Sequence, residues 1–525
     1  MNNSKNVTGH VLKGAAILSI AGIITKILSA AYRIPFQNIV GDVGFFIYQQ
    51  VYPIYGIALI LSTYGFPVVI SKLIAEFPEE EQLEATRKIG KISFIFLSIV
   101  GTLFFIFLFF NAQLIANVMG DEQLTGLIQL SAFSFLSLST LSVLRGVFQG
   151  RNEMVPTAVS QIVEQTFRVG LIIFFSIYLV YNEYNLYYVG KGAILASVIG
   201  GMAAIIVLLV FLVKSKQLTN RTSVKKTNIS SYTIIQKLLT QGITICISSL
   251  LLILINMVDA FTVYRNMVEV GIDETVAKGL KGIYDRGQPF IQLGTVVATA
   301  FSLSLVPAIT MAIVRKEQKE IEDKINLSLR VSIVIGLGAS FGLALLMKPI
   351  NTMLFMNDHQ SSVLMILSFS ILFSSIALTG AAILQGLGFP YTPAFIVAIG
   401  VGSKYISNIL LLPKYDILGA AIATVLSLFI VASIMLVIIY NKTRRPVLNS
   451  SFIWTLGKAT VFMSVSLLLY LQLPLNLDNR EIVRSFLGVI IGGAIFLYTI
   501  IRGHYFSKEE LLLLPLGKRI ARLLN

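Results

Sequence analysis

The chain has 525 residues, 55% of them hydrophobic and only 13% charged, with a formal net charge of +15. A soluble globular chain carries about 25% charged residues, so a mean hydropathy of +0.81 excludes a soluble enzyme or binding domain and places most of this protein in lipid. The basic excess is read as membrane topology rather than nucleic-acid binding. The single Cys246 excludes a disulfide framework, and His10, His359 and His504 are too scattered to make a metal site.

Crossing the hydrocarbon takes about 20 apolar residues. Fourteen runs qualify: 11–34, 46–74, 87–110, 124–148, 159–182, 191–213, 233–259, 283–311, 328–347, 363–386, 394–412, 417–440, 453–473 and 482–501. The first carries Lys26 and Arg33, seven residues apart and so on roughly one helix face. It also begins like a secretory signal, with Lys5 and Lys13 ahead of it and Ser29-Ala30-Ala31 as a cleavage-like site, but an even topology needs the segment retained. The second run is interrupted by Gly65 and Pro67. The fifth carries Glu164 and Arg168, spaced i,i+4. The eighth opens with Asp285-Arg286, and the eleventh contains Lys404. Pro53, Gly65, Pro67, Pro289, Gly294 and Pro307 are expected to kink their helices. Beyond the last run, Ser507-Lys-Glu-Glu510 reads as a capping box ahead of Leu511 to Leu514, Lys518, Arg519 and Arg522. The pattern predicts an amphipathic helix on the inner membrane face over 507–525.

Alternate loops differ in basic content. One set holds Lys214, Lys216, Arg221, Lys225 and Lys226; Arg315, Lys316, Lys319 and Lys324; and Lys442, Arg444 and Arg445. The other is poor: residues 111–123 have no Lys or Arg, and 348–362 have only Lys348. The positive-inside rule places both termini in the cytoplasm. The mixed-charge segment 260–282 is expected to be external, with a short helix of its own, and Asp42 and Asp259 to be solvated at the outer boundary.

A repeat organises these runs. Ile47-Tyr48 with Pro53 recurs as Ile283-Tyr284 with Pro289, and Gln149-Gly150 recurs at the same offset as Gln385-Gly386. Six helices per half make the repeat parallel, with one central site between the lobes, as in transporters. The expected architecture is an all-α integral membrane protein of 14 transmembrane helices: a six-helix lobe over 1–213, a cytoplasmic linker over 214–232, a second six-helix lobe over 233–440, and two extra helices over 453–501.

Ionisable groups at membrane depth are costly, so each needs a reason. Cations predominate here: Lys26, Arg33, Arg168, Arg286 and Lys404. A cavity lined by them suits an anion, and arginine matches phosphate through its planar fork. Against that stand snorkelling of Arg33 and Lys404 to an interface, neutralisation of Arg168 by Glu164, and pairing of Asp285 with Arg286. Glu164 and Asp285 are also the acidic candidates for ion coupling. No Gly-rich loop followed by Lys-Ser or Lys-Thr is present, so nucleotide-driven transport is not expected, and no nucleophile–base arrangement suggests an enzyme.

At these residues the chain resembles a known family. Thr25-Lys26 through Tyr32-Arg33-Ile-Pro35, Gly41-Asp42-Val-Gly44, Tyr64-Gly65-Phe-Pro67, Leu144-Arg-Gly-Val-Phe-Gln-Gly150, Pro156-Thr-Ala-Val-Ser-Gln161 with Glu164-Gln165, and Tyr284-Asp-Arg-Gly-Gln-Pro289 resemble the polysaccharide-flippase branch of the MOP superfamily. The likeness is to the SpoVB/YabM type and, more distantly, to the MurJ-type lipid II flippases. It implies a non-enzymatic flippase of the bacterial cytoplasmic membrane, carrying an undecaprenyl-pyrophosphate-linked oligosaccharide or peptidoglycan precursor by alternating access. By position it gives Lys26, Arg33 and Arg286 to the pyrophosphate, with Lys404 added from the cation pattern. It gives residues 453–501 to a groove for the lipid tail. Membrane lipids and a cell-wall or polysaccharide synthase are the expected partners of a monomer, with no cofactor and a coupling ion of either H+ or Na+. Lys26 departs from the Arg typical of MurJ-type proteins, and Pro53-Ile-Tyr-Gly-Ile-Ala58 lacks their added basic residue. The alternatives are a MATE-type cation antiporter, which normally has twelve helices and an acidic cavity, and a membrane-embedded glycosyltransferase, which needs a large external loop.

Overall fold

In hydrocarbon a backbone can satisfy its polar groups only internally, so long apolar runs fold as helices. A computed structural model describes residues 2–215, 229–443, 449–474 and 480–503. Its regular structure is helical throughout, with no strand among the described residues. The expected amphipathic helix at 507–525 and most of the linker at 214–232 lie outside the described residues.

The chain begins with α1 (Asn2–Ala31) and α2 (Arg33–Ile60), joined by a turn at Tyr32. A π turn at Leu61–Gly65 leads into α3 (Phe66–Ala75). Then come α4 (Glu79–Phe110), α5 (Ala112–Met119), α6 (Thr125–Ala132), α7 (Leu138–Gly150), α8 (Met154–Tyr181) and α9 (Leu186–Lys214). A second π turn, Leu238–Gly242, separates α10 (Ser231–Lys237) from α11 (Ile243–Ser249), and α12 (Leu251–Glu269) and α13 (Glu274–Asp285) follow. The remainder is α14 (Gly287–Arg315), α15 (Gln318–Phe355), α16 (Ser361–Ser368), α17 (Ser370–Gly386), α18 (Tyr391–Thr443), α19 (Ser450–Gln472) and α20 (Arg480–Arg502). Asn185, Ser230 and Asn449 cap α9, α10 and α19 by accepting a hydrogen bond from an exposed N–H of the first turn.

Among the described residues, eleven stretches are long and apolar enough to cross a membrane. Two of them, Ala16–Ala75 with 60 residues and Tyr391–Thr443 with 53, are more than twice the length one crossing needs. Each contains a backbone break: Gly41 at φ 70°, which glycine adopts without strain, and Asp416 at φ 48°. Both breaks fall in the gaps left between expected spans. The expected kinks fare unevenly. Gly65 ends the first π turn and Pro67 opens α3, whereas Pro53 lies inside helical α2 and Gly294 inside α14. Segment 260–282 is largely helical, because α12 runs on to Glu269 and α13 supplies the short helix.

The chain divides into two compact units, Met1–Asp285 with Pro390–Pro413, and Arg286–Phe389 with the chain from Lys414 onward. In the first, every residue of α2 from Gly44 to Gly56 is buried, the mark of a helix enclosed on all sides. It packs against α8, α9, α12 and α13 and forms the axis of that unit. In the second, α14, α15 and α17 pack together, and α19 and α20 pair with each other and lean on α15.

Candidate functional site: an arginine–tyrosine box around helix α2

Tyr48, Tyr52 and Tyr55 are spaced i, i+4, i+7 and so share one face of α2. Tyr32, in the turn before α2, closes over them, its hydroxyl 2.7 Å from that of Tyr48. Neighbouring rings of the set stand 5.8 to 6.4 Å apart in tilted or edge-on pairs. Two guanidiniums enter this box. Arg33, 3% exposed, lies 4.6 Å from the Tyr52 ring centre. Arg168 of α8, fully buried, sits 5.0 Å from Tyr55, 5.3 Å from Tyr32 and 5.5 Å from Tyr52, and its Nη2 donates to the Tyr32 hydroxyl at 3.0 Å. Its Nη1 reaches Gln165 Oε1 at 3.4 Å.

Desolvated cation–π contacts of this kind contribute about 2 kcal/mol or more each. They do not replace a counter-charge. Among the described residues no carboxylate forms an ion pair with Arg33 or Arg168. The Nε of each, and the Tyr55 hydroxyl, are buried without a hydrogen-bond partner. Unmet donors in a dry site are expensive, and an anion would satisfy them. Arg33 therefore does not snorkel.

Glu164 was expected to neutralise Arg168 from four residues away. The structure gives it a different partner: Arg145 of α7, at 2.6 Å, both groups buried. Arg145 also donates to Thr63 Oγ1 at 2.9 Å, the Ser62 carbonyl at 3.2 Å and Ser160 Oγ at 3.3 Å. The fork of Arg145 joins α7 to α8 and to the first π turn, and that geometry takes the carboxylate away from its helical neighbour.

A second buried cluster in the same unit is charge-balanced. Lys404 Nζ lies 2.7 Å from Asp259 Oδ1, and Asp259 further accepts from Asn408 at 3.0 Å and from the Tyr284 hydroxyl at 2.7 Å. Asp259 is thus 1% exposed and fully hydrogen-bonded, contrary to its expected place in solvent at an outer boundary. Lys404 is fully buried rather than snorkelling. Asp285, expected to meet Arg286, is held by Lys281 at 2.6 Å. One helical turn separates that pair on α13, which ends at Asp285 ahead of a turn at Arg286.

In the second unit, Arg286 donates to the amide oxygens of Asn357 at 2.7 Å and Asn351 at 3.1 Å, and its guanidinium lies 5.0 Å from the Phe355 ring centre. Lys26 is half-buried on α1. Of the residues expected to meet a phosphate, then, Arg33 lies in the aromatic box, Lys404 is paired within the protein, and Arg286 rests on neutral amides. Among the described residues no group of three or more His, Cys, Asp and Glu is placed to hold a metal.

The sequence reading missed the tyrosines, Arg145 and Lys281. The tyrosine spacing was a readable signal. Arg145 lies in the motif Leu144-Arg-Gly-Val-Phe-Gln-Gly150, but nothing local pointed to Glu164 as its partner.

Comparison with known proteins places these observations. The family described as polysaccharide biosynthesis protein matches residues 11–313. An uncharacterized membrane protein of Bacillus subtilis, YabM, is 44% identical over 100% of this chain and 99% of its own. The lipid II flippase MurJ of the same organism is 28% identical over 80% of each. Among solved structures, a lipid II flippase MurJ in an inward closed conformation matches with a TM-score of 0.68 at 15% identity, over 93% of this chain and 99% of that one. An inward-facing multidrug resistance MATE family transporter of the MOP superfamily follows at 0.63 and 14%, over 82% and 98%.

Proposed function

Because the chain belongs to the polysaccharide biosynthesis protein family, we propose that it is a flippase for a lipid-linked glycan precursor. Its cargo is an undecaprenyl-pyrophosphate oligosaccharide or a lipid II-like peptidoglycan precursor, and its place is the bacterial cytoplasmic membrane. The observation that carries this reading is the pair Arg33 and Arg168, buried among tyrosines with no carboxylate paired to either among the described residues. Beside the tyrosines, Glu164 is ion-paired to Arg145, while Arg33 and Arg168 have no ion-paired carboxylate among the described residues, a local arrangement that suits a diphosphate. The relative named as a lipid II flippase carries cargo of that chemistry.

Lys26 and Arg286 remain assigned to the diphosphate path. Cargo reaching Lys404 would have to displace Asp259, so its part is secondary. A MATE-type antiporter reading draws on the shared fold, but a cation exporter needs acidic groups where this chain has guanidiniums.

Counting Ala16–Ala75 and Tyr391–Thr443 as two crossings each, and adding α14, supports fourteen. Both termini and the basic linker then lie in the cytoplasm. The lobes 1–213 and 233–440 rock about the diphosphate while the prenyl chain stays in lipid along 453–501. The chain acts as a monomer that hands cargo to a synthase. An inside-negative potential contributes about 2.3 kcal/mol per charge per 100 mV, and H+ or Na+ coupling would act through Glu164 or Asp285.

The test is depletion of the protein with analysis of lipid-linked intermediates, together with transport by the purified protein in vesicles. An inner-leaflet prenyl-pyrophosphate glycan should accumulate on depletion. Arg33→Ala and Arg168→Ala should each lower transport at least tenfold; normal transport by both variants refutes the anion site.

A further inference from the structure

Glu164 binds Arg145 through one carboxylate oxygen, Oε2, and its Oε1 makes no hydrogen bond among the described residues. The same side chain lines a small hollow of about 10 Å³ inside the first unit, room for one water-sized guest. The rest of the polar lining is hydroxyl. Tyr55 comes from α2, Ser62 from the first π turn, Ser134 and Ser137 from the stretch between α6 and α7, and Ser197 from α9.

These hydroxyls differ in what they can offer. Ser62, Ser137 and Ser197 each donate their hydrogen to a carbonyl one turn back, those of Leu59 at 3.1 Å, Ser134 at 2.8 Å and Ala193 at 3.1 Å. Only lone pairs remain to them. Ser134 Oγ and the Tyr55 hydroxyl, 6% and 3% exposed as residues, are buried with no hydrogen-bond partner, a costly state. No lining side chain carries an N–H donor. A single water has two hydrogens, too few for so many acceptors, whereas a hard cation draws on oxygens from every side. One carboxylate already shared with an arginine suits a monovalent ion rather than a divalent one, and the size of the hollow favours Na+ over the larger K+.

We propose that this hollow is a binding site for one Na+ ion, held by Glu164 Oε1 and the surrounding hydroxyl oxygens, and that the ion binds together with the anionic cargo. Charge dictates the second half of the proposal. Arg145 already matches Glu164, so an added cation leaves net positive charge in a unit that also buries Arg33 and Arg168. Repulsion between like charges is strong in a dry interior, and a diphosphate in the arginine–tyrosine box removes it. Tyr55 belongs to both sites: its ring lies 5.0 Å from the Arg168 guanidinium, and it lines the hollow. Filling either site therefore raises the affinity of the other by the same factor. The cation site stands on the hollow itself, whereas its link to cargo rests on the flippase reading.

The purified full-length protein is melted in NaCl, KCl or choline chloride at one ionic strength and one pH, with and without undecaprenyl diphosphate. Na+ should raise the melting temperature saturably, and K+ and choline should not. The diphosphate should lower the Na+ concentration for half the effect by about fivefold or more. Ser134→Ala and Ser197→Ala leave the Arg145–Glu164 pair in place and should each raise that concentration by about tenfold. Should a serine variant not fold, radioactive Na+ retained by the parent protein, displaced by unlabelled Na+ and not by K+, reads the same site; no retention overturns it. A melting temperature indifferent to Na+ under both conditions leaves the hollow to water and overturns the site. So does a Na+ effect of unchanged affinity in both serine variants, or one that acidification reproduces without Na+. A serine-dependent Na+ effect that the diphosphate does not shift overturns the link to cargo alone. If that protein also moves no prenyl-pyrophosphate glycan, the flippase reading fails while the cation site stands.

Discussion

Glu164→Ala is the most informative single change at the box. In the native protein the Glu164 carboxylate is the counter-charge of a fully buried Arg145 guanidinium, at 2.6 Å. Its removal leaves Arg145 with Thr63, the Ser62 carbonyl and Ser160, which are neutral acceptors. Breaking a buried pair by deleting one partner costs about 3–5 kcal/mol, whereas replacing both partners by apolar groups of similar volume is often neutral or stabilising. The expected order of stability is therefore parent and Arg145→Met/Glu164→Leu close together, with Glu164→Ala and Arg145→Met each lower by about 3–5 kcal/mol. Denaturant unfolding of the four proteins in one detergent measures this, and a double-mutant cycle isolates the coupling. Transport is read in parallel: a stable double variant that still transports shows the pair to be structural, and one that is stable but inactive assigns the carboxylate to coupling. A loss below about 1 kcal/mol for Glu164→Ala, or a double variant as unstable as the sum of its singles, would refute the reasoning.

Three further outcomes follow from the same geometry. Tyr52→Phe should keep the ring face over Arg33 and retain transport, while Tyr52→Ala should weaken binding of a prenyl diphosphate about tenfold, the equivalent of a cation–π contact of about 1.4 kcal/mol, in a competition assay. Asp259→Ala should destabilise the fold by about 3–5 kcal/mol, because it strands the buried Lys404 ammonium; adding Lys404→Met should restore most of the loss in the same unfolding assay. Gly282→Ala should lower stability by about 1–3 kcal/mol or more, since its Cβ would fall 2.0 Å from the Asp42 carbonyl oxygen and force α13 off α2. Thermal unfolding of the purified protein checks the last.

Much of the architecture was already present in the order of residues. Apolar length alone made the helices, because a backbone in hydrocarbon has no other partner. The short polar gaps around Gly41 and at 413–416 marked both backbone breaks in the longest stretches. Lys26, Arg33, Arg168, Arg286 and Lys404 were visible one by one, since a charge in so apolar a chain stands out, whereas Arg145 and Lys281 gained their importance only from packing. The partner of each charge could not be read this way. Local spacing proposed Glu164 for Arg168 and Asp285 for Arg286, but packing brought Arg145 to Glu164 from another helix, Asp259 to Lys404 from a distant part of the chain, and Lys281 to Asp285 from one turn back. A helix places its own neighbours three or four residues apart. Which face of which other helix lies opposite depends on how side chains of many helices fit, and that fit left Arg33 and Arg168 among tyrosine rings with no carboxylate ion-paired to either among the described residues.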